Sequence, residues 1–318
     1  MSAEPHLSVL IVNYNGERFL DACLESVRRH LRMDHEIVVV DNASSDGSVE
    51  RLRTHHPDVR VVVSPVNGGF AAGNNLGARV ARGRYLLLLN NDTVVESPLD
   101  PMVGLMDREP GLGALGCSLV YADGRRQESI GLEHSAGRLL LSWAGLQPLL
   151  PGNLARRTLS ALDPAYAAER VPAHWVSGAC LLTRRTLWER LGGLDERYFM
   201  YVEDTDYCRR VRQAGAQVAY SACSRVTHFE GAGRAWRGRG AIVQSARSYR
   251  IYAEKFLGPA GQLAWRTLLP MVFLLRAAAY RLVHALGRDP FGAEKASAFR
   301  EAAGVLVRHQ PRQASISS

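Results

Sequence analysis

The sequence predicts an α/β protein with a mostly parallel central sheet and helices on both of its faces. In the first ninety residues, short apolar runs alternate with segments whose apolar residues recur at helical spacing. Asn or Asp follows several of these apolar runs directly. Ligands bind beyond the carboxyl ends of strands in such sheets, so this edge is the expected site. The composition, 47% hydrophobic and 22% charged, is that of a folded domain.

The first predicted strand is the apolar run at residues 7–12. It is too short for the apolar core of a secretion signal, and no basic stretch precedes it. The next elements, in order, are a helix at 17–31, strands at 36–40 and 59–63, a helix at 71–81 and a strand at 85–89. Such continuous apolar runs are typical of parallel strands buried on both faces.

The second half of the chain is less regular. Residues 112–171 are rich in Gly, Ser and Leu, with a strand expected near 115–120. The elements predicted after them are a strand at 175–183, helices at 185–191 and 204–214, and late strands at 218–220 and 226–229. We therefore expect a catalytic domain at 1–240, with a nucleotide-binding half to about 111 and an acceptor half after it, and a basic helical extension at 241–318.

The C-terminal extension is basic. From Arg234 onward there are fourteen Arg or Lys and four Asp or Glu, a net of +10 in a chain of net +8. This imbalance favours an anionic partner: nucleic acid, an anionic membrane surface or a pyrophosphate-bearing substrate. Nucleic acid is disfavoured because the segment lacks interleaved aromatic residues for base stacking.

Residues 262–286 are helical in composition despite Pro270, and their apolar core at 268–275 is far shorter than a membrane span. A helical projection places five basic residues on one side: Arg266, Arg276, Arg281, His284 and Arg288. Two interpretations stay open: a helix lying in a membrane surface, or a helix packed on the catalytic domain with a solvated basic face.

The five cysteines contain no C-x-x-C pair. This favours a reducing compartment, with the cytoplasm as the default location, and disfavours both a zinc site and a disulfide scaffold. The turn after the first strand, at 13–16, is not G-x-G-x-x-G, and there is no G-x-x-x-x-G-K-[ST]. A dehydrogenase or a P-loop enzyme is therefore not expected.

Four acidic or imidazole side chains are candidates for chemistry. Asp41 ends the second strand, where its carboxylate can accept the ring N–H of a pyrimidine or cap a turn. Asp92, after Asn90, can bind a divalent cation that bridges two phosphates, or it can belong to a simple strand-end turn. Asp204, after Glu203, opens a helix and is either a general base or a cap. His228 is either a metal ligand or structural.

In their order and spacing, seven segments resemble family 2 glycosyltransferases of the GT-A fold, particularly the bacterial rhamnosyltransferase branch. They are SVLIVNYNG (8–16), VVDNASSDGS (39–48), NGGFAAGNN (67–75), LLNND (88–92), WVSGA (175–179), FMYVEDTD (199–206) and HFEG (228–231). The resemblance covers about residues 7–231 and leaves the chain after 240 outside it.

The resemblance implies a role for each matching residue. It makes Asp204 the catalytic base and Asp41 the base-recognising aspartate. It places Asp92 and His228 on a divalent cation, Mg²⁺ or Mn²⁺. The remaining site residues that it implies are Asn13, Asn74 and Asn91 in the nucleotide pocket, and Trp175, Gly178 and Glu203 in the acceptor and donor pocket. Asn90 stands where many members have Asp, a variation that is common in the rhamnosyltransferase branch.

The implied reaction moves a sugar from a nucleotide diphosphate to an acceptor hydroxyl with inversion, because one base lies on the acceptor side without a paired nucleophile. The closest branch suggests L-rhamnose from dTDP-rhamnose, with UDP-galactofuranose or a UDP-hexose as alternatives. The acceptor is expected to be a glycan or a polyprenyl-diphosphate-linked glycan of cell-surface polysaccharide synthesis, at the inner face of the cytoplasmic membrane.

Two other functions fit the sequence less well. A nucleotidyltransferase needs a Gly-rich, basic loop after the first strand, and residues 13–16 do not supply it. An inactive membrane-associated scaffold predicts loss of Asp92, Asp204 or His228, and all three are present.

Overall fold

The computed structural model describes residues 5–229 and 239–307. Glu230 and Gly231 of the last predicted motif lie outside these residues, as do Arg234 and Arg237 of the basic segment. The described chain divides into two compact units. Unit 1 contains residues 5–133 and 156–229; unit 2 contains residues 134–155 and 239–307. The segment 134–155 therefore groups with the C-terminal helices, although the sequence placed it inside the catalytic domain.

The strands of the described chain, numbered in chain order, are β1 (Leu7–Asn13), β2 (His35–Asp41), β3 (Arg60–Val63), β4 (Tyr85–Asn90), β5 (Thr93–Val95), β6 (Leu112–Val120), β7 (Ile130–Gly131), β8 (Val171–Pro172), β9 (Trp175–Val176), β10 (Cys180–Arg184) and β11 (Gln217–His228).

The helices are α1 (Glu17–His30), α2 (Ser48–His55), α3 (Gly69–Val80), α4 (Asp100–Arg108), α5 (Ala136–Trp143), α6 (Arg185–Leu191), α7 (Glu203–Gln213), α8 (Arg239–Phe256), α9 (Pro259–Ala285) and α10 (Gly292–Val307). Two short 3₁₀ helices lie at Gln147–Leu149 and Pro164–Ala167.

Unit 1 is built on one large sheet in the order β3-β2-β1-β4-β10-β6-β11-β5, with β8 paired to β11. The first four strands are parallel, as are β6 and β11, whereas β10, β5 and β8 run antiparallel to their neighbours. The prediction of a mostly parallel sheet flanked by helices is confirmed. The register pairs Asn13 with Asp41 and Val12 with Asn90, so the polar strand ends lie side by side.

The apolar runs are continuous because alternate residues of each strand enter different cores. In β1, Val9 and Ile11 pack with the core that contains α1 and α4, whereas Leu10 packs with the opposite core. In β4, Leu87 and Leu89 belong to the first core, and Leu86 and Leu88 to the second. A strand buried on both faces has no polar alternation, which is why these strands were predictable from composition.

The single strand predicted at 175–183 is wrong. Residues 175–176 form β9, which pairs with β7, and β10 begins at Cys180 and pairs with β4. Between them the chain turns at 177–179, where the Cys180 amide donates to the Ser177 carbonyl over 3.3 Å. The late strands predicted at 218–220 and 226–229 are instead one strand, β11, with an irregularity between Tyr220 and Arg225. The sequence prediction also missed β5, α4 and α5.

Unit 2 contains α5 and α8–α10, and the predicted C-terminal helical region is therefore present. One face of α9 carries Trp265, Leu269 and Phe273, all fully buried. The Phe273 ring packs edge-on against Trp143 of α5 and Phe299 of α10. This aromatic contact gives the unit a hydrophobic core of its own.

The helix predicted at 262–286 is confirmed as α9, which continues through Pro270. The helical projection placed Arg276 on the basic side of the helix, but this side chain is half-buried. Its guanidinium donates to the Trp143 carbonyl over 2.7 Å and lies over the Phe299 ring. Among the described helices, α9 alone is long and apolar enough to cross a membrane, judged by length and composition only. The prediction of an apolar core at 268–275, far shorter than a membrane span, therefore underestimates the apolar length of this helix. The exposed face of α9 is apolar, with Leu263, Met271, Leu275 and Leu282 each more than half exposed.

All five cysteines lie in unit 1 and are free thiols. Cys23, Cys117, Cys180 and Cys208 are buried, and Cys223 is half-buried. Burial raises the pKa of both Cys23 and Cys208 to about 12.

Candidate functional site

Polar side chains meet at the carboxyl edge of the unit 1 sheet. The Asn13 amide donates to Asp41 Oδ1 over 3.1 Å, and the Asn91 amide donates to Asn13 Oδ1 over 2.7 Å. The Ser44 backbone amide donates to the other Asp41 oxygen over 3.0 Å. Hydrogen bonds therefore connect the ends of β1 and β2 to the turn after β4. The structure brings together three of the predicted nucleotide-pocket residues.

Asp41 caps its own turn through the bond from the Ser44 amide, but it does not cap the helices that follow. Asp46 instead accepts from the backbone amides of Glu17 and Ser48, which start α1 and α2. The turn before α1 also needs glycine: a Cβ on Gly16 would lie 2.1 Å from Asn91 Nδ2 and 2.6 Å from Asn13 Oδ1. The close backbone approach at Gly16 thus makes room for the amide network.

Asn74 lies on α3 and is almost fully buried. Its amide nitrogen donates to the Phe70 carbonyl over 2.9 Å, while its amide oxygen has no hydrogen-bond partner among the described residues. A buried acceptor left unpaired costs about 1–3 kcal/mol. Asn74 Oδ1 is therefore a buried acceptor without a partner in the described part of the chain.

Asp92 and His228 meet at the end of the sheet. His228 Nε2 lies 3.3 Å from Asp92 Oδ1 and 3.1 Å from Asn90 Nδ2. On the other side of the ring, His228 Nδ1 lies 3.1 Å from Gln127 Oε1. The β5–β11 pairing, Thr93 with His228, holds these two chain segments together.

This pair of side chains fits one divalent cation. Two adjacent ligands of an octahedral cation, each about 2.1 Å from it, are roughly 3 Å apart, and the observed separation is 3.3 Å. No group of three His, Cys, Asp or Glu suited to a metal occurs in the described part of the chain. Where nucleotide phosphates and water supply the other ligands, a divalent cation commonly takes only one or two ligands from the protein. Asp92 and His228 would hold the cation.

Glu203 and Asp204 open α7. Asp204 Oδ2 accepts from the Gly178 amide over 2.9 Å, and Oδ1 accepts from the Thr205 amide over 2.6 Å. Burial raises the pKa of Asp204, and these two N–H donors act against the rise. Burial and the adjacent Asp204 charge raise the pKa of Glu203 well above its ordinary range. Of the two carboxyl groups, Asp204 receives hydrogen bonds from the amides of two other residues, and these bonds favour its ionised form.

The turn at 177–179 connects this carboxylate to the sheet edge. The Gly178 backbone N–H donates to Asp204, and the Ala179 carbonyl accepts from the Asn90 backbone N–H over 3.1 Å. The Phe70 ring lies on the same turn, 3.2 Å from the position of a Cβ on Gly178. The turn that interrupts the predicted strand therefore links Asp204 to the end of β4 through two hydrogen bonds.

The backbone before α7 is strained. Tyr201 and Val202 have φ of 70° and 73°, a left-handed conformation that is rare for a β-branched residue. The carbonyl of the preceding Phe199 accepts from the Phe70 amide at the start of α3 over 2.8 Å. These constraints fix the direction in which α7 leaves the loop.

Trp175 lies on β9, and its place in the acceptor and donor pocket stays a prediction. Its indole N–H donates to the Leu132 carbonyl over 3.2 Å, and its ring covers Gly131 so closely that a Cβ there would overlap it. This packing supports the β7–β9 pair. Gln127, by contrast, was not predicted, because it lies in the irregular segment where no periodicity or motif singled it out.

The model for the family described as "Glycosyl transferase family 2" matches residues 8–175 of the chain. This match covers β1 through β4 and the polar residues Asn13, Asp41, Asn90, Asn91 and Asp92. The chain belongs to glycosyltransferase family 2. Asp204 and His228 lie beyond the matched residues, so their assignment depends on the geometry and on the resemblance.

Two curated relatives illustrate the family 2 match. The chain is 29% identical over 250 residues to the N-acetylglucosaminyl-diphospho-decaprenol L-rhamnosyltransferase of Mycobacterium tuberculosis, covering 70% of this chain and 76% of the relative. It is also 29% identical over 271 residues to the O-antigen biosynthesis protein RfbC of Myxococcus xanthus. That match covers 81% of this chain but only 20% of the M. xanthus protein.

Solved structures establish the GT-A fold of this family 2 chain. GalNAc-T7 with UDP, GalNAc and Mn²⁺ aligns with a TM-score of 0.60 at 18% identity, over 96% of this chain and 55% of that one. The mannosyltransferase PcManGT from Pyrobaculum calidifontis, solved with GDP-Man and Mn²⁺, aligns with a TM-score of 0.56 at 18% identity, over 96% and 86%. At this identity the likeness concerns the fold.

Proposed function

We propose that this chain transfers a sugar from a nucleotide diphosphate to an acceptor hydroxyl, with inversion at the anomeric carbon. The observation that carries the proposal is the 177–179 turn, which binds Asp204 on one side and Asn90 on the other. The turn thereby links the proposed base to the strand end that precedes the proposed cation site. This is the arrangement that an in-line displacement requires.

The protein's part in the reaction follows from the side chains. Asp204 accepts the proton of the acceptor hydroxyl as its oxygen bonds to the anomeric carbon. The bond from that carbon to the diphosphate oxygen breaks, and the nucleotide diphosphate leaves with the bonding electrons. A cation at Asp92 and His228 would neutralise charge on the leaving diphosphate. With one base and no paired nucleophile, a single displacement inverts the configuration.

The Asn13, Asp41 and Asn91 network is proposed to hold the nucleotide. Asp41 presents a carboxylate that can accept a pyrimidine N–H, and Asn13 keeps it oriented through the 3.1 Å bond. The unpartnered oxygen of Asn74 adds a second acceptor on α3. Gly178, against both Phe70 and Asp204, is proposed to border the sugar and acceptor. Glu203, buried beside Asp204 in the chain, is proposed to border the same pocket.

We propose L-rhamnose from dTDP-rhamnose as the donor, because the relative matched over most of its length is named an L-rhamnosyltransferase. UDP-galactofuranose or a UDP-hexose is the alternative within the same mechanism. The name of that relative also supports a polyprenyl-diphosphate-linked glycan as acceptor, in cell-surface glycan synthesis at the cytoplasmic membrane face. The inactive-scaffold alternative is disfavoured by the Asp92–His228 contact and the hydrogen-bonded Asp204.

Unit 2 is proposed to bind an anionic membrane surface through α9. Leu263, Met271 and Leu275 form an exposed apolar face, and Arg281 and Arg266 lie exposed along its edge. Amphipathic helices of this kind lie in the headgroup region, where each Arg adds roughly 1 kcal/mol against anionic lipid. Peripheral attachment would place unit 1 near a lipid-linked acceptor.

Calorimetric titration with a panel of nucleotide sugars, with Mg²⁺ or Mn²⁺ and again with a chelator, tests the proposed function. Selective, metal-dependent binding of dTDP-rhamnose would support the donor assignment. Binding of another nucleotide sugar would keep the mechanism and replace the donor. A folded protein that binds none of them would refute the transferase proposal in favour of a scaffold.

A further inference from the structure

Gln127 lies in the chain between β6 and β7 and is 5% exposed. Both polar atoms of its side chain are directed at one residue, His228. Gln127 Nε2 donates to the His228 carbonyl oxygen over 3.0 Å, and Gln127 Oε1 lies 3.1 Å from His228 Nδ1. Burying an amide is costly unless both its donor and its acceptor are used, and here His228 uses both.

These two contacts determine where the imidazole proton resides. A backbone carbonyl can only accept, so the atom of Gln127 facing it must be the NH₂ group. The oxygen of the amide then faces His228 Nδ1, and an amide oxygen can only accept. His228 Nδ1 must therefore carry a hydrogen. In the neutral ring, this leaves Nε2 with a lone pair and no proton.

The unprotonated Nε2 faces the proposed cation site. It lies 3.1 Å from Asn90 Nδ2, which can donate to it, and 3.3 Å from the carboxylate oxygen Asp92 Oδ1, which cannot. Two lone-pair-bearing atoms at this separation repel each other unless a cation lies against both. Without Gln127 the ring can carry its proton on Nε2 and donate it to Asp92, which closes the site to a cation.

We propose that Gln127 is a positioning residue that fixes the tautomer and orientation of His228 so that Nε2 can bind the cation. The cation-binding half of this inference rests on the proposed function, whereas the tautomer half concerns the protein without ligands. Partners of this kind typically change metal affinity by about 10–100-fold when removed.

The tautomer is measured by ¹⁵N NMR of histidine-labelled protein without ligands, at a pH where the imidazole is neutral, with His228→Gln used to assign the signal. We expect His228 to carry its proton on Nδ1 in the wild-type protein. In Gln127→Leu we expect the proton to move partly or wholly to Nε2. Gln127→Glu, which keeps an acceptor for Nδ1, should retain the wild-type tautomer even if Gln127→Leu folds poorly.

A wild-type ring protonated on Nε2 alone, or on both nitrogens, would overturn the proposal. So would an unchanged tautomer in folded Gln127→Leu.

Cation affinity is measured in parallel by titrating Mn²⁺ into protein saturated with UDP or dTDP, followed by the electron paramagnetic resonance signal of free Mn²⁺. We expect about 10–100-fold weaker Mn²⁺ binding in Gln127→Leu, a smaller loss in Gln127→Glu, and no change in Gln147→Leu, a glutamine of unit 2 that bonds Ser142. A changed tautomer with unchanged Mn²⁺ affinity would remove the cation role. Failure of the wild-type protein to bind any nucleotide would refute the proposed function and leave the tautomer result standing.

Discussion

Unit 1 is distinguished by buried polar side chains at the edge of its sheet, and unit 2 by the exposed apolar face of α9. Unit 1 buries Asn13, Asp41 and Asp92, each no more than 5% exposed, at the end of its sheet. Unit 2 leaves Leu263 and Leu275 of α9 about two-thirds exposed. Buried polar groups are retained where they are held for chemistry or binding, and an exposed apolar face indicates an external partner. The difference suggests chemistry in unit 1 and attachment in unit 2.

The sharpest test of this division is Asp204→Asn. We expect transfer to fall by about 10²–10⁴-fold, because the amide cannot accept the proton of the acceptor hydroxyl. Donor binding by calorimetry and binding to anionic vesicles should stay unchanged. The matched control is Asp123→Asn, an exposed aspartate paired with Arg125. Normal turnover in Asp204→Asn would show that the base is another residue.

Asp92→Ala should produce the next largest effect. Removal of the carboxylate takes away one of two cation ligands, so we expect at least about a tenfold loss of Mn²⁺-dependent donor binding. Binding measured with chelator should change much less. The comparison of the two titrations separates loss of the cation from loss of the fold. Equal Mn²⁺ dependence in the variant and the wild type would exclude Asp92 as a ligand.

The proposed membrane attachment of unit 2 is tested by the double variant Met271→Glu, Leu275→Glu. Two charges on the exposed face of α9 should weaken binding to phosphatidylglycerol vesicles by about tenfold or more, since inserting each apolar side chain is worth roughly 1.5–3 kcal/mol. Transfer to a soluble acceptor should be unaffected. Leu162→Glu, at a leucine of unit 1 that is 91% exposed, is the control. Unchanged vesicle partitioning of the double variant would remove the membrane proposal.

The pH dependence of kcat/KM should show a smaller, graded effect. Asp204 works only when ionised, and its pKa lies above the ordinary value because of burial. Activity should therefore be full above this raised pKa and fall about tenfold per pH unit below it. The acid limb should lie above the range of an exposed aspartate. A profile flat down to the ordinary aspartate pKa of about 3.9 would contradict the burial effect.

The strands of the first ninety residues were predictable because each is buried on both faces and reads as an unbroken apolar run. Motifs at strand and helix ends singled out Asp41, Asp92, Asp204 and His228, and their roles stay predictions; only the structure shows their contacts. The turn at 177–179 was not predictable from local sequence, because it depends on a hydrogen bond from Gly178 to Asp204, 26 positions away.

Gln127 escaped prediction for a related reason. Its neighbours form neither a strand nor a helix, and the residue it binds lies 101 positions along the chain. The grouping of 134–155 with the C-terminal helices is likewise a matter of tertiary contact rather than local composition. Local pattern identifies elements and strand ends, whereas partners distant in sequence decide which side chains act together.

The distribution of the thiols gives an independent readout of unit 1. Every cysteine belongs to that unit, and four of the five are buried. A thiolate is the species that alkylates, and burial raises the pKa of Cys23 and Cys208 far above neutrality. Alkylation of the buried cysteines by iodoacetamide, measured by mass spectrometry, would thus report local unfolding of unit 1 alone. Unfolding confined to the C-terminal helices of unit 2 would leave the cysteines unlabelled.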